Sequence, residues 1–254
     1  MAILIIGLTG ILVDLLILFR AFGAKHIAKY PLFYSYIGCV LIVDVSRFIV
    51  YHLGSPFFYR DLYWATEFLT LVVGSGVILE VIRKALEPYA GAERFARNAV
   101  LAVFAGAFLF VTFRALTRPN WSPATCYGEL ELDLRAVQVL VLASVLSIVS
   151  YYRIPLGKNL KGFIIGYGFF ITYSVVNPAL RSYFGPAFES FYRFGPSWLF
   201  FVSQSIWVVT LWNYAPNPAP DSASRLESDY ESLALRTRGL LGAMRSHIGR
   251  TVGS

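Results

Sequence analysis

The 254-residue sequence predicts an all-α integral membrane protein with seven transmembrane helices, the N-terminus outside and the C-terminus cytoplasmic. Three observations predict it. Hydrophobic residues make up 57% of the chain and charged residues only 15%, against about 25% charged in a soluble domain. Seven apolar stretches approach the length of about 20 residues that a membrane-crossing helix needs. Lysine and arginine concentrate in alternate connections between those stretches, as the positive-inside rule requires.

The stretches run over 2–19, 31–53, 62–82, 98–117, 132–152, 160–183 and 196–214. The first has no basic segment before it and no small-residue cleavage site, and Asp14 interrupts its apolar run, so it reads as a retained helix. The runs are too long for strands and lack period-two alternation. Arg20, Lys25 and Lys29 follow the first stretch. Arg83, Lys84, Arg94 and Arg97 follow the third, and Arg153, Lys158 and Lys161 the fifth. The tail adds Arg225, Arg236, Arg238, Arg245 and Arg250. All five lysines lie on this side, which is therefore expected to face the cytoplasm of a cell whose inner membrane the chain crosses several times. Only Arg60, Arg118 and Arg193 fall in the opposite loops. Aromatic residues such as Tyr63, Trp64, Trp121, Trp198 and Trp212 sit near the predicted interfaces.

Two domains are expected: 1–214, the membrane bundle, and 215–254, a cytoplasmic tail. The tail opens on a Pro-rich linker, APNPAPDS. Leu226, Tyr230, Leu233, Leu240 and Met244 then recur at helical spacing within 224–248. Acidic residues come first (Glu227, Asp229, Glu231) and basic ones later. The segment reads as a short amphipathic helix, on the inner leaflet, in a coiled coil or against a protein partner.

The net charge of +7 is no nucleic-acid signal, because the basic residues lie in short membrane loops. No span holds a lysine for a retinal Schiff base. The histidines (His26, His52 and His247) fall at opposite ends and cannot jointly hold haem or metal. Cys39 within the second span and Cys126 in an outer loop are too far apart for a disulfide. No Walker loop, GxSxG, HExxH or paired-cysteine motif is present. No cofactor and no enzymatic activity are expected.

Charged groups within spans are costly and mark function by default. Asp14, Asp44, Arg47, Glu67, Glu80, Arg114, Arg135, Asn177 and Arg181 qualify. Arg47, Glu67, Arg135 and Asn177 are expected within about 10 Å of the outer surface, with Asp44 slightly deeper and Arg181 at the rim. The candidate ligand-binding set is Asp44, Arg47, Trp64, Glu67, Arg135, Tyr173, Asn177 and Arg181. Asp44 and Arg47 are three apart and can pair, while Arg47 and Arg135 are the cations available to Glu67. The same residues read as a salt-bridge network that fixes helix packing, or as the floor of an outward-facing pocket with surplus arginine for an anion. Glu80 is expected to form a solvated pair with Arg83 and Lys84. Pro178 is expected to break the sixth helix, and Gly162, Gly166 and Gly168 to give it a small-residue face.

Three segments resemble a family of uncharacterised bacterial seven-helix membrane proteins. They are Tyr63-Trp64-Ala65-Thr66-Glu67; Val77-Ile78-Leu79-Glu80-Val81-Ile82-Arg83 with Pro88-Tyr89-Ala90-Gly91; and Gly162-Phe163-Ile164-Ile165-Gly166-Tyr167-Gly168. The similarity covers most of 30–212 and implies the seven-helix architecture but no chemistry. The layout is more faintly similar to the sensor modules that precede bacterial histidine kinases. No kinase or cyclase follows here, so direct enzymatic signalling is not expected. These readings make a stand-alone sensor or receptor-like protein the first functional expectation. An accessory subunit of an electron-transfer or secretion complex is second and a transporter third. Expected partners are membrane lipid, a protein partner or second copy at the tail helix, and an unidentified ligand; nucleic acid is excluded.

Overall fold

The computed structural model describes residues 2–117, 123–219 and 225–252, and among these the ordered elements are helices. They are α1 (Ala2–Gly23), α2 (Pro31–Leu53), α3 (Pro56–Ala85), α4 (Ala90–Leu116), α5 (Pro123–Tyr151), α6 (Lys158–Phe184), a 3-10 turn (Gly185–Phe188), α7 (Glu189–Leu211) and α8 (Arg225–Val252). Six of them, α2 to α7, are long and apolar enough to cross a membrane. The chain has the character of a multi-pass helical membrane protein.

Most helices outrun their apolar stretches. α3 begins at Pro56, whose fixed φ suits a first helical turn, and Ser55 Oγ accepts the Phe58 N–H at 3.3 Å as its N-cap. α5 begins at Pro123, nine residues before its predicted span, so Cys126 lies in a helix and not in a loop. Hydropathy finds the apolar middle of a helix, and caps and polar turns extend it. Trp121 and Arg118 lie outside the described residues.

Successive helices pack antiparallel, and α7 returns against α1 to close the bundle. α3 also touches α5 and α6, which leaves α4 at the periphery. The core is aromatic where α2, α6 and α7 meet. Phe33 lies 4.2 Å from Phe163 and 5.2 Å from Trp207, ring centre to ring centre. A side chain at Gly162 would collide with Thr210, and one at Gly166 with Trp207, so these two glycines seat α7 on α6. Gly168 belongs to another face, beside Leu142 of α5. Pro178 does not break α6, which continues to Phe184.

The end of the bundle where α1 finishes and α8 begins is the tail end. Glu80 is buried there, not solvated. It accepts the Phe33 N–H at 2.7 Å and the Leu32 N–H at 3.3 Å, so α3 supplies a carboxylate to the open N-terminus of α2. Arg83 stands at 3.8 Å. The Pro-rich segment is tied down. Asn217 accepts the Gly157 N–H at 2.9 Å and donates to the Lys84 carbonyl at 2.8 Å. Asn159 donates to the Thr210 and Asn213 carbonyls, and Arg20 to the Trp212 carbonyl, which satisfies the end of α7.

Candidate charged cluster at the far end

At the opposite end, three of the predicted residues meet. Glu67 of α3 uses both carboxylate oxygens: Arg47 of α2 donates to Oε2 at 2.9 Å, and Arg135 of α5 donates to Oε1 at 2.6 Å. Arg47 also donates to Thr66 Oγ1 at 2.9 Å and to the Tyr63 carbonyl at 3.0 Å, and it lies over the Tyr63 ring. Arg135 donates through Nε to Glu131 Oε1 at 2.8 Å and lies 5.5 Å from the Phe170 ring of α6. Four helices thus converge on two carboxylates and two guanidiniums. Charge-assisted bonds of this kind are among the stronger polar links when partly buried.

The arginines are not in surplus. Glu131 falls one residue before the predicted fifth span, outside its apolar run. Its spacing from Arg135, i and i+4, was the available signal. Arg47 does not turn to Asp44; its donors are spent on α3. Asp44 is half-buried and makes no ion pair or hydrogen bond among the described residues.

A small surface-open cleft adjoins the cluster, lined by Trp64, Glu67, Phe68, Leu71, Leu130 and Glu131. Its interior space is about 10 Å³, room for about one water molecule and far below the roughly 300–1,000 Å³ of ordinary ligand pockets. Beneath it Gln138 of α5 donates to the Leu71 carbonyl and to Ser75 Oγ, both at 2.9 Å. This buried amide, like Gln204 of α7, carries no charge to mark it within its apolar run.

The other predicted residues form a separate group at the same end. Tyr173 Oη donates to Asn177 Oδ1 at 2.8 Å, and Asn177 donates to the Tyr192 carbonyl at 3.4 Å. Arg181 pairs with Glu189 at 3.0 Å and lies over the Tyr192 ring. These contacts join α6 to α7 across the 3-10 turn, and the Arg181–Glu189 pair is largely solvated.

Asp14 of α1 is fully buried away from both groups. Gln204 donates to Asp14 Oδ1 at 2.7 Å and to the Gly10 carbonyl at 3.2 Å. Asp14 Oδ2 and Gln204 Oε1 have no hydrogen-bond partner among the described residues.

Fold and site together define a helical membrane protein of several spans with a balanced charged cluster at one end. No family model, no curated protein and no solved structure matches the chain.

Proposed function

We propose that the chain is a stand-alone receptor-like or sensor protein that crosses the inner membrane seven times. In this reading α1 is the seventh span, the charged cluster faces outward and α8 lies in the cytoplasm. One observation carries the reading: the helices joined by the far cluster also hold the tail end together. α2 and α3 meet again at Glu80, α3 holds Asn217 through the Lys84 carbonyl, and Tyr152, just after α5, donates to Asp229 of α8 at 3.1 Å. A shift of one helix at the cluster is therefore felt at the tail. Both arginines are already paired with carboxylates, which argues against an anion as the signal.

The test needs no known ligand. Spin labels at Lys29→Cys and Ser232→Cys, in a Cys39→Ser, Cys126→Ser background, report the position of α8 against the bundle. Arg47→Gln loosens the cluster at its more exposed arginine. A changed distance distribution in the folded variant supports coupling, and an unchanged one refutes it.

A second reading, the accessory subunit, has one observation in its favour. Only 6% of the apolar window of α4 is buried, against 28–39% for the other five candidate spans. α4 thus offers a whole face to lipid or to another chain. A stoichiometric partner recovered from native membranes would select this reading.

A further inference from the structure

We propose that the distal half of α8 docks on an anionic lipid surface, so that the tail is a peripheral membrane helix anchored at one end to the bundle. The anchor is local. Among the described residues, the helix that α8 packs on is α4. Tyr230 lies in the gap left by the missing side chain of Gly91 and near the Phe95 ring, and Leu226 is buried. Gly91 lies in the first turn of α4, seven residues or about 10 Å before its apolar stretch begins at 98, so α8 starts on the tail-end side of that stretch, within reach of a headgroup layer.

Beyond the anchor the same helical face loses its cover. At 3.6 residues per turn, Leu226, Tyr230, Leu233, Thr237 and Leu240 share one stripe. Leu233 is 60% exposed and Leu240 67% exposed. α8 continues to Val252, and its 28 residues span about 42 Å. Charge selects what covers the stripe. No acidic residue follows Glu231, while Arg236, Arg238, Arg245 and Arg250 do. A second α8 is a poor occupant. In parallel it would set arginine against arginine. In antiparallel it would need the acidic first turns, whose apolar face is already occupied by α4 and whose Asp229 accepts from Tyr152. A bilayer rich in anionic headgroups meets both requirements, with apolar depth for the leucines and phosphate for the arginines. Each arginine near such a surface favours the bound state about fivefold.

The inference does not rest on the receptor reading and can stand if that fails. The test uses the full chain in the Cys39→Ser, Cys126→Ser background, reconstituted in nanodiscs of phosphatidylcholine alone or with about one third phosphatidylglycerol. Single spin labels replace residues 233, 235, 237, 238 and 240 in turn. The expected result in the anionic discs is oxygen accessibility above that of a water-soluble nickel reagent at 233, 237 and 240, and the reverse at 235 and 238. The contrast should fall in pure phosphatidylcholine, in 0.5 M salt, and when Arg236, Arg238, Arg245 and Arg250 are all changed to Gln. The salt and lipid arms need no variant of the tail charges. Labels equally water-exposed in both lipids would overturn the proposal. So would an apolar pattern indifferent to lipid charge and accompanied by spin–spin broadening between copies, which would assign the face to a second α8.

Discussion

Glu67 is the residue on which the far cluster turns, because each of its oxygens carries a different arginine. Removing one partner of a buried ion pair typically costs about 3–5 kcal/mol, whereas replacing the whole set by apolar residues is near neutral. Glu67→Leu and Arg135→Leu are each expected to lower thermal stability in detergent by that amount. The double variant should recover only part of the loss, since Arg47 and Glu131 then lack partners. Adding Arg47→Leu and Glu131→Leu should recover most of the rest. Simple additivity along this series would show that the residues do not act together. Asp14 sets a contrasting case. Asp14→Asn keeps the acceptor for Gln204 and adds an N–H for the unpaired Gln204 Oε1, so its melting temperature should equal or exceed that of the natural protein. Asp14→Leu deprives the buried amide of its partner and should cost about 1–3 kcal/mol. Equal losses in both would contradict the described pairing. The meeting of Arg47, Glu67 and Arg135 was legible from depth and charge alone. Glu80 was not: its local spacing to Arg83 and Lys84 pointed to solvent, and its partners are backbone groups 47 and 48 residues away.

At the scale of elements, apolar run length placed the seven long helices but not their ends, because Ser55 and Pro56 extend α3 through polar turns that hydropathy ignores. Small-residue spacing grouped Gly162, Gly166 and Gly168, yet residues 162 and 166 lie one turn apart on one face while 168 is rotated away. The packing therefore separates them. Gly166→Ala drives a methyl group against Trp207, which Phe33, Tyr36 and Phe200 hold in place. It should cost about 1–3 kcal/mol, as overpacking does. Gly168→Ala meets only the end of the Leu142 side chain at 3.2 Å and gains helix propensity, so its effect should stay within about 1 kcal/mol. Thermal unfolding of the two variants side by side checks this, and a Gly166→Ala protein as stable as Gly168→Ala would contradict the described α6–α7 contact.

For the whole molecule, the decisive features are the closure of the bundle by α7 running parallel to α1, from Gly10 and Asp14 beside Gln204 to Arg20 beside Trp212, and the pinned segment that leads to α8. Asn217 joins two parts of the tail end with one side chain. Asn217→Ala should cost about 1–3 kcal/mol and broaden the distance distribution between labels at Lys29→Cys and Ser232→Cys. An unchanged distribution would mean that the linker is held elsewhere. Sequence reading treated 215–222 as a mere boundary, since no local pattern foretells that Asn217 meets Gly157 and Lys84. Orientation underlies every functional statement, because the cluster can receive an external signal only if its end faces outward. Labelling intact cells with a membrane-impermeant maleimide tests this most directly, using Arg60→Cys at the far end and Glu87→Cys at the tail end, each in the Cys39→Ser, Cys126→Ser background. Both positions are exposed. The account predicts that residue 60 is labelled from outside and residue 87 only after the cells are opened; labelling of residue 87 but not residue 60 in intact cells would contradict it.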